Sequence, residues 1–517
     1  MSPATPLLRV ADIRTVEHRE LTRLPVGTLM QRAGAAATAI ALELLAAIRP
    51  DAMVVVLVGP GNNGGDALEV ATALLQAGRK VTVWQIAELD PAARDAVSAL
   101  ARARQAGVMF AATAPAPTWG LVIDGLFGIG LTRPLVDHFA EAVALVNQFD
   151  GPVLALDVPS GLDADTGAKV GGAHAAAIRA THTVTFIADK PGLHTAAGAD
   201  LAGTVTVAAL GLVAAADPLL SLNHAALFAS AAQPRPRDSN KGSFGEVSVI
   251  GGADGMIGAV LLAARAALFG GAGRIYAGFI GTPLSHDPNH PELMCRHAEQ
   301  LELGRSVLVV GPGLGRTDAS RAALMRALQA SSPIVLDADA LNLLAELPQV
   351  RAQLLAHNAP VIITPHPLEA ARLLGCTVEQ VQADRLQAAS TLAHRYGVIA
   401  ILKGAGSVIA DPQGHLVINP TGNPALATGG TGDVLAGFCG ALLAQGWPAW
   451  SAALGAVWMH GQAADSLVAA GIGPVGMTAS ELLPQLRYEH NRLIAQRLLI
   501  MGRSDTAPVR LDDPPQS

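Results

Sequence analysis

Residues 53–67 read MVVVLVGPGNNGGDA: an apolar run, a glycine-rich turn, then the start of a helical pattern. A continuous Val/Leu run of this length fits a strand buried on both faces, and such strands belong to parallel sheets covered by helices. Working outward, Leu29–Ile48 reads as a helix leading into this strand and Ala67–Gln76 as the helix leaving it. Lys80–Ile86, Leu121–Asp124, Pro152–Asp157, Thr183–Ile187 and Thr204–Ala208 read as further strands, spaced by helix-length segments. The pattern predicts an α/β unit with a Rossmann-like, doubly wound parallel sheet.

The periodicity stops near residue 212, and AAQPRPRDSNKGS at 231–243 has Pro, Arg and Ser without a repeat. A second α/β series follows. Its expected strands are Glu246–Ile250, Arg274–Phe279, Val307–Val310, Ile334–Leu336, Val361–Thr364 and Ile399–Leu402, with helices such as Ala259–Phe269 and Thr317–Gln329. The expected division is a first domain over 1–217, a linker over 218–237, a second domain over 238–505 and a tail over 506–517.

The chain has 517 residues, 50% of them apolar and 15% charged, with a net charge of −7. That is a globular composition too long for one core. With no basic block and only 3% aromatic residues, nucleic-acid binding is not expected. Cys295, Cys376 and Cys439 form neither a zinc spacing nor a disulfide framework. Residues 1–20 lack an apolar signal core, and no apolar run approaches membrane-spanning length. A cytoplasmic protein without a membrane partner is expected, and a homo-oligomer.

Gly59, Gly61 and Gly64 satisfy a dinucleotide-type GxGxxG, a weak signal that also suits a tight turn. The interior of the loop is more specific: Asn62, Asn63, Gly64, Gly65 and Asp66 put two amides and a carboxylate at a helix N-terminus where anions bind. Asp124, in IDGLFGIGLTRP, and Asp157, in LDVPSGLDADTG, close two other apolar runs. One such Asp could simply cap a helix; three loops with Asp and Gly at one sheet edge point to a site.

These motifs, over roughly residues 10–215, resemble the signature loops of the NAD(P)H-hydrate epimerase family. The resemblance implies a K+ ion held by Asn63, Asp124 and Ser160. It implies a hydrated NADH or NADPH held by residues 62–66, by Gly128, Ile129, Gly130, Leu131, Thr132, Arg133 and Pro134, and by Asp157. Moving the ring hydroxyl between R and S forms needs proton transfer, and Asp157 is the expected acid/base. Ala67 stands where the family's Gly is expected, so the exit of the loop is expected to differ.

In the second half, NPALATGGTGDVLAG (423–437) sets Gly429, Gly430 and Gly432 ahead of a helix. Their N–H groups can form an anion hole for a transferring phosphoryl group, with Asp433 as base or as a mere helix cap. With KGSFG, GGADGMIGA, GPGLG, TPHPLEAARLL and KGAGS, this motif resembles the ribokinase-like superfamily and, within it, the ADP-dependent NAD(P)H-hydrate dehydratase family over 238–500. The resemblance implies that Ala259, Gly315, His366 and Asp433 contact the hydrated cofactor. It implies that Lys403, Gly404, Ala405, Gly406, Ser407 and Gly432 contact AMP, with ADP arriving as its Mg2+ complex. Trp458, Met459 and His460 read as core. The rival readings are a small-molecule kinase on this fold, a first half reduced to a binding module, and a dehydrogenase resting on GxGxxG alone.

Overall fold

The first sheet forms where the apolar runs lie. Its strands are β1 (Met53–Val58), β2 (Lys80–Gln85), β3 (Met109–Ala111), β4 (Trp119–Gly125), β5 (Val153–Leu156), β6 (His182–Phe186) and β7 (Thr204–Ala208). The computed structural model describes residues 7–116, 118–213 and 219–500. The order is β3-β2-β1-β4-β5-β6-β7, parallel throughout. The chain therefore reverses its direction of travel between β1 and β4, where Leu57 faces Asp124 and Val58 faces Gly125. In open parallel sheets, such a switch point leaves a crevice outside the carboxyl ends of the strands.

The second sheet contains β8 (Leu220–Leu222), β9 (Glu246–Gly251), β10 (Arg274–Phe279), β11 (Met294–His297), β12 (Val307–Val310) and β13 (Ile334–Leu336). It continues with β14 (Val361–Ile363), β15 (Ile399–Leu402), β16 (Val408–Ala410) and β17 (Leu416–Ile418). The order is β11-β10-β9-β12-β13-β14-β15-β16-β17-β8. Pairing is parallel from β11 to β15, and antiparallel from β15 to β17. Two helices pack closely on this sheet. Thr431–Ala444 is apolar nearly all round, and a Cβ on Gly437 would lie 2.0 Å from the Ala263 carbonyl of helix Ile257–Phe269. A helix of that composition has to be buried, and its N-terminus is thereby held against the sheet edge.

The chain divides into two compact units, one on Thr5–Ser221 and one beginning at Leu222. This corrects the expected linker over 218–237. Residues 214–218 lie outside the described residues, as does the expected tail over 506–517. From Leu220 the segment is structural: β8 joins the second sheet, and Phe228 is fully buried with Ala229 and Ala232 in the core of the second unit. Proline and arginine misled the reading, because Arg235 packs its guanidinium 3.8 Å from the Phe244 ring centroid and bonds Gln445 Oε1.

Candidate functional site

At the switch point of the first sheet, a cavity of about 360 Å3 is lined by Ile13, Arg14, Glu17, Pro60, Gly61, Asn62, Asn63 and Asp66 on one side. Leu126, Phe127, Gly128, Ile129, Gly130, Leu131, Asp157, Phe186 and Ile187 complete it. NNGGD is not a loop: helix Asn62–Gln76 begins at its first residue. Gly64 and Gly65 are there for close packing. A Cβ on Gly64 would lie 2.2 Å from the Gly59 carbonyl, and one on Gly65 2.4 Å from Met30 Cε. Ala67 consequently sits in ordinary helix, not in a loop exit, and its methyl fills the space that Gly125 leaves open. Thr132, Arg133 and Pro134 are exposed and outside the cavity lining.

Asp124 is fully buried at the end of β4. Its Oδ1 accepts from Ser160 Oγ at 2.6 Å and Leu126 N at 3.2 Å, and its Oδ2 from Ser160 N at 2.8 Å. Burial pushes its carboxyl up to about 6 despite these bonds, and no cationic side chain pairs with it among the described residues. Asn63 is 8% exposed, and neither its Oδ1 nor its Nδ2 has a hydrogen-bond partner. An unmade buried bond of this kind costs about 1–3 kcal/mol unless a ligand satisfies it.

Asp157 follows β5 in the left-handed region, at φ 68°, which is uncommon for a residue with a side chain. Its Oδ1 lies 2.8 Å from Lys190 Nζ, and its Oδ2 accepts from Ile129 N at 3.3 Å. Lys190 is 0% exposed and also donates to the Phe186 and Ala188 carbonyls. Sequence reading missed it. A Cβ on Gly128 would lie 3.0 Å from Asp157 Oδ2 and 3.5 Å from Asn63 Oδ1, so glycine there lets both groups approach the cavity. Burial, and then the Asp157 charge, raise the Asp66 carboxyl well above its ordinary range.

The second cluster lies at the carboxyl ends of β13, β14 and β15. Gly430, at φ 94°, caps helix Thr431–Ala444, and Asp433 sits in its first turn. Burial and Asp337 push the Asp433 carboxyl up to about 7, with Lys403 opposing. Lys403 Nζ is 2.8 Å from Asp337 Oδ1. A Cβ on Gly432 would come within 3.2 Å of that ammonium, which explains a glycine at a position that is not left-handed. Gly404, at φ 140°, and Ser407 close the following turn through Ser407 Oγ and the Gly404 carbonyl, 3.1 Å apart. Arg385, 1% exposed, donates to the Leu402 and Lys403 carbonyls beneath it. Ala405 and Gly406 belong to the same turn.

His366 caps helix Pro367–Leu374, its Nδ1 accepting from Leu368 N at 3.1 Å. Burial, then Lys403, lower its pKa, which favours the neutral ring. Glu369, whose side chain faces His366, is raised by burial to about 7. Ala259 lies at the start of helix Ile257–Phe269, with its Cβ 3.2 Å from where a Gly313 Cβ would be. Gly315, at φ 72°, donates its N–H to Asp339 Oδ2. His460 is core, as expected: burial lowers it to about 4, and its Nε2 bonds the Thr431 carbonyl at 3.0 Å. Asp337 and Glu369 were not singled out from sequence, although Asp337 closes an apolar strand just as Asp124 and Asp157 do.

Fold and loops together define a two-site α/β enzyme that handles nucleotides, with a Rossmann-like unit followed by a ribokinase-like one. A family model described as YjeF-related protein N-terminus matches residues 26–192, and one described as NAD(P)H-hydrate dehydratase matches 247–487. The bifunctional NAD(P)H-hydrate repair enzyme of Coxiella burnetii is 39% identical, covering 91% of this chain and 97% of its own length. That of Escherichia coli is 38% identical, covering 92% of each. The chain belongs to the family of bifunctional NAD(P)H-hydrate repair enzymes. Among solved structures, the ADP/ATP-dependent NAD(P)H-hydrate dehydratase of Bacillus subtilis, co-crystallised with ATP/Mg2+, is 32% identical over 52% of this chain and 97% of that one, with a TM-score of 0.46.

Proposed function

We propose that the first unit interconverts the R and S hydrates of NADH and NADPH, and that the second dehydrates the S form at the expense of ADP, giving AMP and phosphate. The observation that carries this reading is the pairing of two acid-bearing clusters, each at the carboxyl ends of the parallel strands of its own sheet. One opens on a cavity, and the other sits at a helix N-terminus beside an ammonium.

In the first unit, Asp157 exchanges the proton of the C6 hydroxyl, and Lys190 fixes the orientation of its carboxylate. Asn62, Asn63, Asp66, Gly128, Ile129, Gly130 and Leu131 surround the ring; Gly64 and Gly65 shape the helix that carries them. Thr132, Arg133 and Pro134 are left for the outer part of the nucleotide, which a cavity of this size does not enclose. The donors Asn63, Asp124 and Ser160 fit a K+ ion: they are oxygen atoms suited to a hard cation, one of them unpartnered and one a buried carboxylate without a cation. When bound, K+ supplies positive charge that orders these loops.

In the second unit, Asp433 takes the proton of the hydroxyl as its oxygen attacks the terminal phosphoryl group of Mg2+-ADP. The new O–P bond forms as the bond to AMP breaks. The C6–O bond then breaks, phosphate leaves with its electron pair, a ring proton is lost and the dihydronicotinamide returns. The N–H groups of the GGTGD turn face the phosphoryl group. Lys403, Gly404, Ala405, Gly406, Ser407 and Gly432 face the nucleotide, and Ala259, Gly315 and His366 face the hydrated cofactor. A mixed-epimer hydrate incubated with ADP or ATP and Mg2+ tests both halves. Recovery of dihydronicotinamide absorbance beyond the S fraction is expected, whereas a stable phosphorylated product would mean a kinase. The chain is expected to act in the cytoplasm as a homo-oligomer, and no helix among the described residues is long and apolar enough to cross a membrane.

A further inference from the structure

Three neighbouring strands of the second sheet each end in one polar residue. Asp337 follows β13, Thr364 follows β14 and Lys403 follows β15. They form one hydrogen-bonded row: Asp337 Oδ1 accepts from Thr364 Oγ1 at 2.7 Å and from Lys403 Nζ at 2.8 Å. Asp337 is 2% exposed and its backbone is held on both sides. A Cβ on Gly311 would lie 1.7 Å from the Asp337 carbonyl, so only glycine passes there. The next residue, Ala338, is in the left-handed region at φ 49°, a conformation costing about 1–3 kcal/mol that the surroundings must enforce. The row ends at the GGTGD helix, because the position of a Gly432 Cβ is 3.2 Å from Lys403 Nζ and 3.8 Å from Asp337 Oδ2.

We propose that Asp337, backed by Thr364, is a positioning residue: it holds the Lys403 ammonium against the transferring phosphoryl group and off the Asp433 carboxylate that receives the hydroxyl's proton. This rests on the dehydratase reading above. A lysine released from Asp337 is left between two other carboxylates whose charges act on it, Glu369 more strongly and Asp433 next, and a carboxylate paired to an ammonium is a weaker base. The charged and titratable groups around Asp433 are Asp337, Lys403 and Glu369, with His366 and Arg372 behind Glu369 and the neutral His460 at the Thr431 carbonyl. Of these, Asp337 is the carboxylate bonded to the lysine. The upward shift of Asp433 to about 7 has Asp337 as its largest charge contribution and Lys403 opposing it, so losing Asp337 removes the first and frees the second.

The experiment uses the full chain and the S epimer with Mg2+-ADP. Asp337→Asn should lower kcat by about 10²-fold through misplacement of the ammonium, with KM for the hydrate little changed. It should also move the acid limb of the kcat/KM profile, expected near 7 in the parent if Asp433 is the base, to lower pH by at least about one unit. Thr364→Val should move the limb in the same direction by less. A purely structural Asp337 would lower the rate and leave the limb in place, and that result overturns the proposal. If Asp337→Asn does not fold, Thr364→Val decides, and an unmoved limb again overturns it. A parent chain that never dehydrates the S epimer would sink the functional reading instead, a failure visible before any variant is made.

Discussion

Asp157 and Asp433 are held in different ways. Asp157 is clamped, with Lys190 on one oxygen, the Ile129 N–H on the other and a left-handed backbone beneath. Asp433 is kept basic by burial and by Asp337. Asp157→Asn keeps the shape and removes the proton exchange, so epimerisation should fall by about 10²–10⁴-fold after subtracting the spontaneous rate. Dehydration of purified S epimer by the same chain should be unchanged, and an epimerisation rate near the parent's would assign the role elsewhere. Asp433→Asn should abolish dehydration while calorimetric ADP binding persists, because the proposed anion hole uses backbone N–H groups that the substitution leaves in place; lost binding would mean the turn had collapsed. On the proposed K+ reading, Asp124→Ala should slow epimerisation and abolish any preference for K+ over Na+, leaving dehydration intact. Asp124 and Asp157 were legible because each closes an apolar run beside glycines, and Asp433 because it follows the glycines that open an apolar helix. Lys190 was not legible: its contact with Asp157 exists only once β5 and β6 lie side by side. Asp337 closes a strand too, but no glycine follows it in DADAL to draw the eye.

At the scale of elements, helix Asn62–Gln76 shows how a motif read as a glycine-rich loop can be the first turns of a helix. Gly64 and Gly65 look alike as turn residues or as packing residues in a linear sequence; only the neighbours Gly59 and Met30, brought in by β1 and helix Thr28–Leu45, separate the two. The helix presses on β4 through Ala67, whose Cβ lies 2.3 Å from where a Gly125 Cβ would be. Gly125→Ala should therefore cost about 1–3 kcal/mol of overpacking and displace the Asp124 strand end. Ala67→Gly alone should cost about 1 kcal/mol through helix propensity. The double variant should recover part of the Gly125→Ala loss, but not all, since the Leu57 carbonyl still lies 2.9 Å from the new methyl. Thermal melts of the four proteins test this, and simple additivity would remove the contact from the account. The long strands were readable from composition. Length alone does not separate the strands that were read from those that were not: β13 and β14 are three residues long and were read, while β3, β16 and β17, equally short, were not, and the sequence of β11, MCRH, carries no apolar pattern.

For the whole molecule, the sequence shows two units, and the structure moves the boundary. Composition placed the linker over 218–237, yet Asn223 donates to Asn419 Oδ1 at 3.0 Å and to the Leu454 carbonyl at 2.9 Å, deep in the second unit. Phe228 is 0% exposed, and Arg497 donates to the Ser230 and Ala232 carbonyls. A fragment of residues 219–517 should thus fold and dehydrate the S epimer at a rate close to that of the full chain. A fragment of residues 238–517 loses β8, the Phe228 side chain and the Asn223 bonds. Removing a buried Phe side chain alone costs about 3–5 kcal/mol, a large share of the roughly 5–15 kcal/mol that holds a domain together. The shorter fragment should melt at least about 6–12 °C below the longer one, or fail to stay soluble. Phe228→Ala within the longer fragment separates the side chain from the strand and should account for part of that drop. Equal melting temperatures and equal dehydration rates for the two fragments would show that the segment contributes nothing to the second unit and is a tether after all.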